Sequence, residues 1–261
     1  FESRDVTAGL PESLARPHGA SRGSPLEHRL VALTNEFFQR PASSRFPPRR
    51  TNCKLPPVTP KYGSKMPYRC TPLYGGALVC DLPDNFADVS KLRQVPDNQE
   101  VWIDKDGFTS IIFDITERVG GPGSGPEIDG RAMTMHLEDM VGTDIDSVKI
   151  WNTAETEFTR LEFKPPAYTL IATQTPKVGH SRGQSSAPDF TAIIMTLLRL
   201  EQYKTDILIT INVPHIKGEY DEGDVDLELG KQGKLMGNAV EYSASIWESL
   251  KIKDFSLFGE P

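Results

Sequence analysis

Two carboxylates near the end of a strand-like segment form the pattern in this sequence that most directly suggests chemistry. Residues 110–117 read Ser-Ile-Ile-Phe-Asp-Ile-Thr-Glu, so that Asp114 precedes Glu117 by three positions. A regular strand would put these side chains on opposite faces, whereas a bulge or a helical turn would bring both to one surface. Paired carboxylates can serve glycoside hydrolysis, but the sequence offers no aromatic-lined cleft for a sugar. An acidic surface that binds a basic protein is the alternative.

Histidines are the other residues that could take part in catalysis. His136 stands in a predicted helix, His180 lies in a polar segment before a serine, and His215 follows a proline. GxSxG patterns occur at residues 19–23 and 179–183, but neither lies at the turn between a predicted strand and a predicted helix that a nucleophilic serine requires, and no HExxH motif is present. Surface or capping roles therefore fit the histidines best, and we predict no catalytic residue. A hydrolase that uses His136 or His180 stays open as an alternative, and it would be active without any partner.

Neither a metal site nor a cofactor site is predicted. The Gly-rich residues 120–126 lie between a strand and a helix, where a loop can cradle phosphate, but the Walker lysine and the GxGxxG spacing are missing. Residues 104–107 resemble part of a calcium loop, yet Trp102 and Phe113 would occupy its first and last ligand positions. We therefore predict a flexible connector and a hairpin turn. The three cysteines lack CxxC spacing and are predicted to be reduced thiols: Cys53, Cys70 and Cys80.

Charge is distributed unevenly along the chain. The 261 residues carry a net charge of −7, but residues 1–65 hold eleven basic and five acidic residues, whereas residues 66–261 hold eighteen basic and thirty-one acidic ones. An acidic domain repels nucleic acid and anionic membranes and attracts basic protein surfaces. No apolar run approaches the ~20 residues that span a bilayer. We predict a soluble monomer that binds neither nucleic acid nor membrane.

The chain divides near Met66. Residues 1–65 are dominated by Pro, Ser and Arg and contain too few apolar residues to offset the entropy of ordering. We predict that they form a disordered or non-native extension. Residues 66–261 are predicted to form the functional domain.

The pattern of elements in this domain predicts an α+β fold. Hairpins outnumber crossovers, which favours a central, mainly antiparallel sheet with helices packed against its faces. Helices are predicted at residues 86–92, 127–139 and 235–250, and strands at 73–83, 101–103, 109–119, 147–158, 160–173, 189–200 and 206–213. Pro96 ends the first helix, so that residues 92–101 become a polar loop between two rigid elements. Residues 218–233 are predicted to form an acidic, Gly-rich loop.

Four segments in the same order resemble the Mog-type Ran-binding proteins, also called the Ran guanine nucleotide release factors. They are residues 73–77 (Leu-Tyr-Gly-Gly-Ala), 88–101, 110–117 and 205–214. The resemblance covers residues 73–258. It does not extend to residues 1–65, and the loops at 120–126, 176–188 and 218–233 look expanded.

The resemblance implies a PsbP-like α/β/α sandwich and a function. Members of this family bind the small GTPase Ran, promote loss of its guanine nucleotide and support nuclear protein import, which implies a protein of nucleus and cytoplasm. The residues that it implies for Ran binding are Asp114 and Glu117, with Arg93, Asp97 and Glu100 in the neighbouring loop. It leaves open whether a further Ran-binding protein joins the complex. A PsbP-like structural accessory role is the alternative, although the transit peptide that it requires is not visible.

Overall fold

The computed structural model describes residues 66–176 and 188–259. The predicted extension, together with Cys53 and His180, lies outside this part of the chain. Twelve strands and two α-helices are present in the described residues. The strands are β1 (Tyr68–Leu73), β2 (Leu78–Pro83), β3 (Phe86–Asp88), β4 (Gln99–Asp104), β5 (Ser110–Glu117), β6 (Val148–Glu155), β7 (Ala167–Gln174), β8 (Phe190–Leu200), β9 (Thr205–His215), β10 (Val225–Asp226), β11 (Lys231–Gln232) and β12 (Lys251–Ile252). The helices are α1 (Pro126–Val141) and α2 (Gly233–Ser249).

A seven-stranded antiparallel sheet in the order β3-β4-β5-β9-β8-β7-β6 is the centre of the fold. Its longest strands, β8 and β9, pair over eleven residues each and are joined by a short turn. β-Branched residues make up more than half of β9, where their side chains pack well on a pleated surface. This hairpin and its neighbour β5 confirm the strands predicted at 109–119, 189–200 and 206–213.

Helices cover both faces of the large sheet. On one face, α2 packs with the small sheet β1-β2-β12 and forms the larger core, which contains Phe86, Phe113, Ile207 and Ile246. On the other face, α1 buries a second cluster: Ala132, Met133, Leu137, Leu170, Ile193 and Met195. Alternate residues of β8 serve the two clusters, which is why its sequence is apolar almost without interruption. This arrangement confirms the α+β fold with a mainly antiparallel sheet flanked by helices.

The helix predicted at residues 86–92 was wrong. Phe86 begins β3 instead, pairs with Asp104 and is fully buried in edge contact with Tyr242, with ring centroids 5.4 Å apart. Only a single 3-10 turn follows at Val89–Lys91, and Asp88 caps it by accepting a hydrogen bond from Ser90 N. Burial of one large aromatic side chain outweighs the weak helical tendency of this short segment.

Two further predictions require correction. The strand predicted at 160–173 begins only at Ala167, because Pro165 and Pro166 have no N–H for a sheet ladder and Lys164 adopts a positive φ of 43°. Strand β1 was missed, since its alternation is weak and four of its six residues are not buried. The acidic loop at 218–233 contains the short β10–β11 hairpin. In the described part of the chain, neither helix has the length and apolar character needed to cross a membrane.

Candidate functional site

Strand β5 extends beyond its neighbour β4, and the resulting notch contains the predicted carboxylates. The β4–β5 ladder ends at the Gln99–Asp114 pair, whereas the β5–β9 ladder continues to the Glu117–Thr205 pair. Beyond that point, Ile115 N donates to Asn98 O at 2.9 Å, and no further strand adjoins this side of β5 within the described residues. The end of β5 therefore lies between the polar loop of residues 92–98 and strand β9, open along one edge.

Asp114 is half-buried and is oriented by two amide side chains. Asn98 Nδ2 donates to its Oδ1 at 2.7 Å, and Gln99 Nε2 donates to its Oδ2 at 2.9 Å. Burial raises the pKa of Asp114 above that of an ordinary aspartate, although both hydrogen bonds act in the opposite direction. Partial burial and these two hydrogen bonds therefore hold the Asp114 carboxylate in a fixed orientation. The sequence alone did not indicate that Asn98 and Gln99 position this carboxylate.

Glu117 lies on the other face of β5 and is exposed. The pairing with β9 is continuous from Ser110 to Glu117, so the bulge that would bring both carboxylates to one face is absent from this strand. Phe113 and Ile115, which alternate with Asp114, pack on the α2 side, and Glu117 continues their row. The two carboxylates therefore flank the open edge of β5 from opposite faces. A partner that covers this edge can reach both.

Glu100 faces away from Asp114 and is held internally. It pairs with Phe113, and its carboxylate accepts a hydrogen bond from Tyr74 N. Burial raises the pKa of Glu100, although this hydrogen bond opposes the shift. The Tyr74 hydroxyl also lies 3.0 Å from Asn98 O and 2.9 Å from Phe113 O. Glu100 and Tyr74 thus brace the loop that orients Asp114, a function of Tyr74 that the sequence did not reveal.

The other two loop residues differ from each other in exposure. Asp97 is exposed near the tip of the loop. Arg93 is half-buried at the base, where its backbone N donates to Val89 O at 3.0 Å. Within the described residues, its Nε is buried without a hydrogen-bond partner.

A buried charged network supports the segment that follows Glu117. Arg199 donates from Nε to Asp206 Oδ1 at 3.0 Å and from Nη1 to Asp129 Oδ1 at 2.8 Å. Both backbone groups of Val119 join it, because its N donates to Asp206 Oδ2 at 3.1 Å and its O accepts from Arg199 Nη2. Burial opposes ionisation of Asp129, but hydrogen bonds from Ser124, Gly125 N and Arg199 hold its pKa below the ordinary value.

His136 belongs to this network. Its Nε2 lies 2.9 Å from Asp206 Oδ2, and only 4% of its side chain is exposed. A general base must reach the proton of a bound substrate, and a histidine enclosed in the core and already hydrogen-bonded to a carboxylate is poorly placed for that task. The geometry therefore assigns His136 a structural contact. Among the described residues, no group of three or more His, Cys, Asp or Glu side chains is arranged to hold a metal ion.

The Gly-rich loop after β5 is held by side chains, which differs from the flexible connector predicted for it. The Arg118 guanidinium donates to Gly121 O at 2.7 Å and to Gly123 O. Gly123 N donates to Glu201 Oε1 at 2.5 Å, and Gly125 N donates to Asp129 Oδ2 at 2.8 Å. At Gly123 φ is +86°, a backbone conformation that residues with a side chain rarely adopt. The loop thus adds a defined surface next to Glu117.

Comparison with known protein families shows which family has this site. The family model described as "Ran-interacting Mog1 protein" matches residues 71–214. The chain belongs to the Mog1 family. This match contains the open end of β5, the loop beside it and the buried network around Arg199, so every part of the site described above lies within the matched residues.

Relatives and a solved structure agree with this assignment. The chain is 30% identical over 192 residues to the "probable ran guanine nucleotide release factor" of Dictyostelium discoideum, covering 71% of this chain and 94% of the relative. It is 29% identical over 184 residues to the nuclear import protein MOG1 of Saccharomyces cerevisiae, covering 66% and 78%. The 1.9 Å crystal structure of the S. cerevisiae Ran-binding protein Mog1p superposes with a TM-score of 0.54 at 25% identity, covering 75% of this chain and all of that one.

Proposed function

We propose that this Mog1-family protein binds the small GTPase Ran, promotes release of its guanine nucleotide and thereby supports nuclear protein import. Relatives named Ran guanine nucleotide release factor and nuclear import protein support the proposal. The observation that carries it is the open end of β5, where Asp114 and Glu117 flank an accessible strand edge. Such a site suits a partner with basic side chains rather than a small substrate.

The proposed mechanism contains no covalent step. Asp114 and Glu117 would capture basic side chains of Ran and stabilise a conformation that holds nucleotide more weakly. A ligand shifts an equilibrium between two states only by as much as its affinities for them differ, so these contacts must be stronger in the weakly binding state. Asp97 extends the acidic surface, Arg93 offers a partly buried guanidinium at its base, and Glu100 braces the loop. The enclosed position of His136 supports a non-enzymatic function.

The negative net charge of the domain supports binding to a basic surface of a partner protein, and we propose that this occurs in the nucleus and cytoplasm. Charge of one sign steers a partner of opposite sign and raises the rate of encounter. We propose that the free protein is a monomer that requires neither nucleic acid nor membrane. A further Ran-binding protein joining the complex is compatible with a site that uses only one end of one strand.

Release of a fluorescent guanine nucleotide from Ran tests this function. The full chain should accelerate release, and Asp114→Lys and Glu117→Lys should each reduce the acceleration about tenfold or more, because a like charge then faces the basic partner. Asp106→Lys is the matched control: it makes the same charge change on an exposed aspartate at the opposite end of β5 and should leave the rate within about twofold. Absence of both acceleration and binding by the folded wild type would overturn the proposal.

A further inference from the structure

A groove lined by aromatic and proline residues lies at the same end of the sheet as Glu117. It has a volume of about 390 Å³; its apolar walls include Phe163, Pro165, Pro166, Tyr203 and Phe255, and Lys164, Glu201 and Gln202 also line it. Phe163 is 52% exposed, although it is one of the largest apolar side chains in the chain. Large apolar side chains left accessible beside a concave surface are typical of places where another molecule binds.

The groove is connected to Glu117 by adjacent backbone contacts. Glu117 pairs with Thr205, and the next residue, Arg118, donates from its backbone N to Lys204 O at 2.8 Å. Thr205 in turn donates from Oγ1 to Tyr203 O at 2.9 Å. Tyr203 packs on the same core as Ile115, and Ile115 and Glu117 lie on one face of β5. Glu117 and the Tyr203 wall of the groove are therefore close along the backbone at this end of the sheet and lie on the same face of it.

Aromatic contacts fix the shape of the groove before any partner arrives. The rings of Tyr203 and Phe255 stack with centroids 5.3 Å apart, and Phe163 meets Phe255 edge to face at 5.7 Å. Phe258 supports the floor through contacts with both Tyr203 and Phe255. A rigid apolar site loses little conformational entropy on binding, which makes it a good anchor point.

We infer that the Ran-binding surface continues from Glu117 into this groove, and that Ran inserts into it an aliphatic or aromatic side chain that neighbours a lysine or arginine. The inference rests on the proposed function. Exposed carboxylates accelerate encounter but contribute little affinity, whereas a specific interface buries about 800 Å² on each partner around an apolar centre. The acidic notch supplies the charged part, and the groove supplies the apolar part next to it. The basic neighbour of the inserted side chain then pairs with Glu117.

Binding kinetics of immobilised Ran with the full chain test this inference. Phe163→Ala should weaken binding about tenfold, mainly through faster dissociation, because truncating an apolar anchor acts after encounter. Glu117→Gln should mainly slow association. Phe108→Ala is the matched control, since Phe108 is 43% exposed in the β4–β5 turn, at the far end of β5, and this variant should bind within twofold of the wild type. Phe163→Leu keeps an apolar side chain and should retain most of the affinity, which separates lost contact from lost folding.

The outcomes distinguish this inference from the proposed function. If Phe163→Ala binds Ran with wild-type kinetics while Glu117→Gln associates more slowly, the groove is not part of the Ran-binding surface, and the proposed function is unaffected. Equal losses for Phe163→Ala and Phe163→Leu would also count against an apolar anchor. Self-association of the free protein that Phe163→Ala abolishes, with Ran binding unchanged, would assign the groove to a second copy of this chain. A wild type that does not bind Ran would overturn both.

Discussion

Arg199 and Asp206 face each other across the β8–β9 hairpin, and their fully buried side chains form an ion pair with 3.0 Å between Nε and Oδ1. The same guanidinium contacts Asp129 of α1 and the carbonyl of Val119, two residues after Glu117. One buried arginine therefore connects the β8–β9 hairpin, helix α1 and the segment that follows β5, the strand that carries the candidate site. The candidate site is thus supported from inside the molecule.

Arg199→Leu should destabilise the fold by about 3 to 5 kcal/mol, because it removes the charge that compensates two buried aspartates. Urea unfolding would measure the change. Arg131→Leu is the comparison variant, since Arg131 forms an exposed pair with Glu127 at 2.6 Å and should cost no more than about 0.5 kcal/mol. Similar losses in the two variants would show that the buried network contributes no special stability.

Tyr74→Phe should cost about 1 kcal/mol, because the hydroxyl near the carbonyls of Asn98 and Phe113 is lost. It should also weaken Ran binding, since the loop that orients Asp114 is then less restrained. Thermal unfolding and a binding titration give the two values. Tyr68→Phe, on an exposed tyrosine of β1, should change stability by less than about 0.5 kcal/mol. Unchanged stability and binding in Tyr74→Phe would exclude a bracing function for this hydroxyl.

His215 should make the protein less stable as the pH falls from about 6.5 to about 4. Burial lowers the pKa of His215 to about 4, against an ordinary value of 6.5, although the contact of its Nδ1 with Val213 O at 3.0 Å opposes the shift. The unfolded chain thus binds a proton in this range while the folded chain does not, and stability decreases as the pH falls. The full effect is on the order of 3 kcal/mol.

His215→Phe provides the comparison for this pH dependence. A phenyl ring keeps a stacking partner for Phe190, whose centroid lies 4.6 Å from the imidazole, but it cannot titrate. As the pH falls from 6.5 to 4, the wild type should lose unfolding free energy relative to the variant. Contributions from Asp114 and Glu100 are common to both proteins and cancel. A pH-independent difference would contradict a neutral, buried His215.

Association with Ran should slow as salt is added, because residues 66–261 carry thirteen more acidic than basic residues. Raising the ionic strength from 0.1 M to 1 M shortens the screening length from about 10 Å to about 3 Å. Stopped-flow association rates at several salt concentrations test this, with Glu117→Gln expected to give a shallower dependence. A wild-type rate that is indifferent to ionic strength would show that the acidic surface does not steer the encounter.

The acidic pair illustrates how far local sequence could lead. Alternation predicted a strand at Asp114 and Glu117, and the resemblance selected these residues, but whether they share a surface depended on a bulge that only pairing with β9 could exclude. The functions of Asn98, Gln99 and Tyr74 depend on side chains brought together from separate strands and a turn. Local periodicity contains no information on such contacts.

The sequence by itself determined the long antiparallel hairpin, the two helices and the acidic character of the domain, because these depend on residue type, on periods of 2 and 3.6 residues and on charge counting. Tertiary structure alone decided the course of residues 86–92, where burial of Phe86 produces a strand in place of a helix. It also decided that His136 and Arg199 meet at Asp206. These features join residues as far apart in sequence as Phe86 and Tyr242, and their energies arise from burial and charge pairing that exist only once the chain has folded.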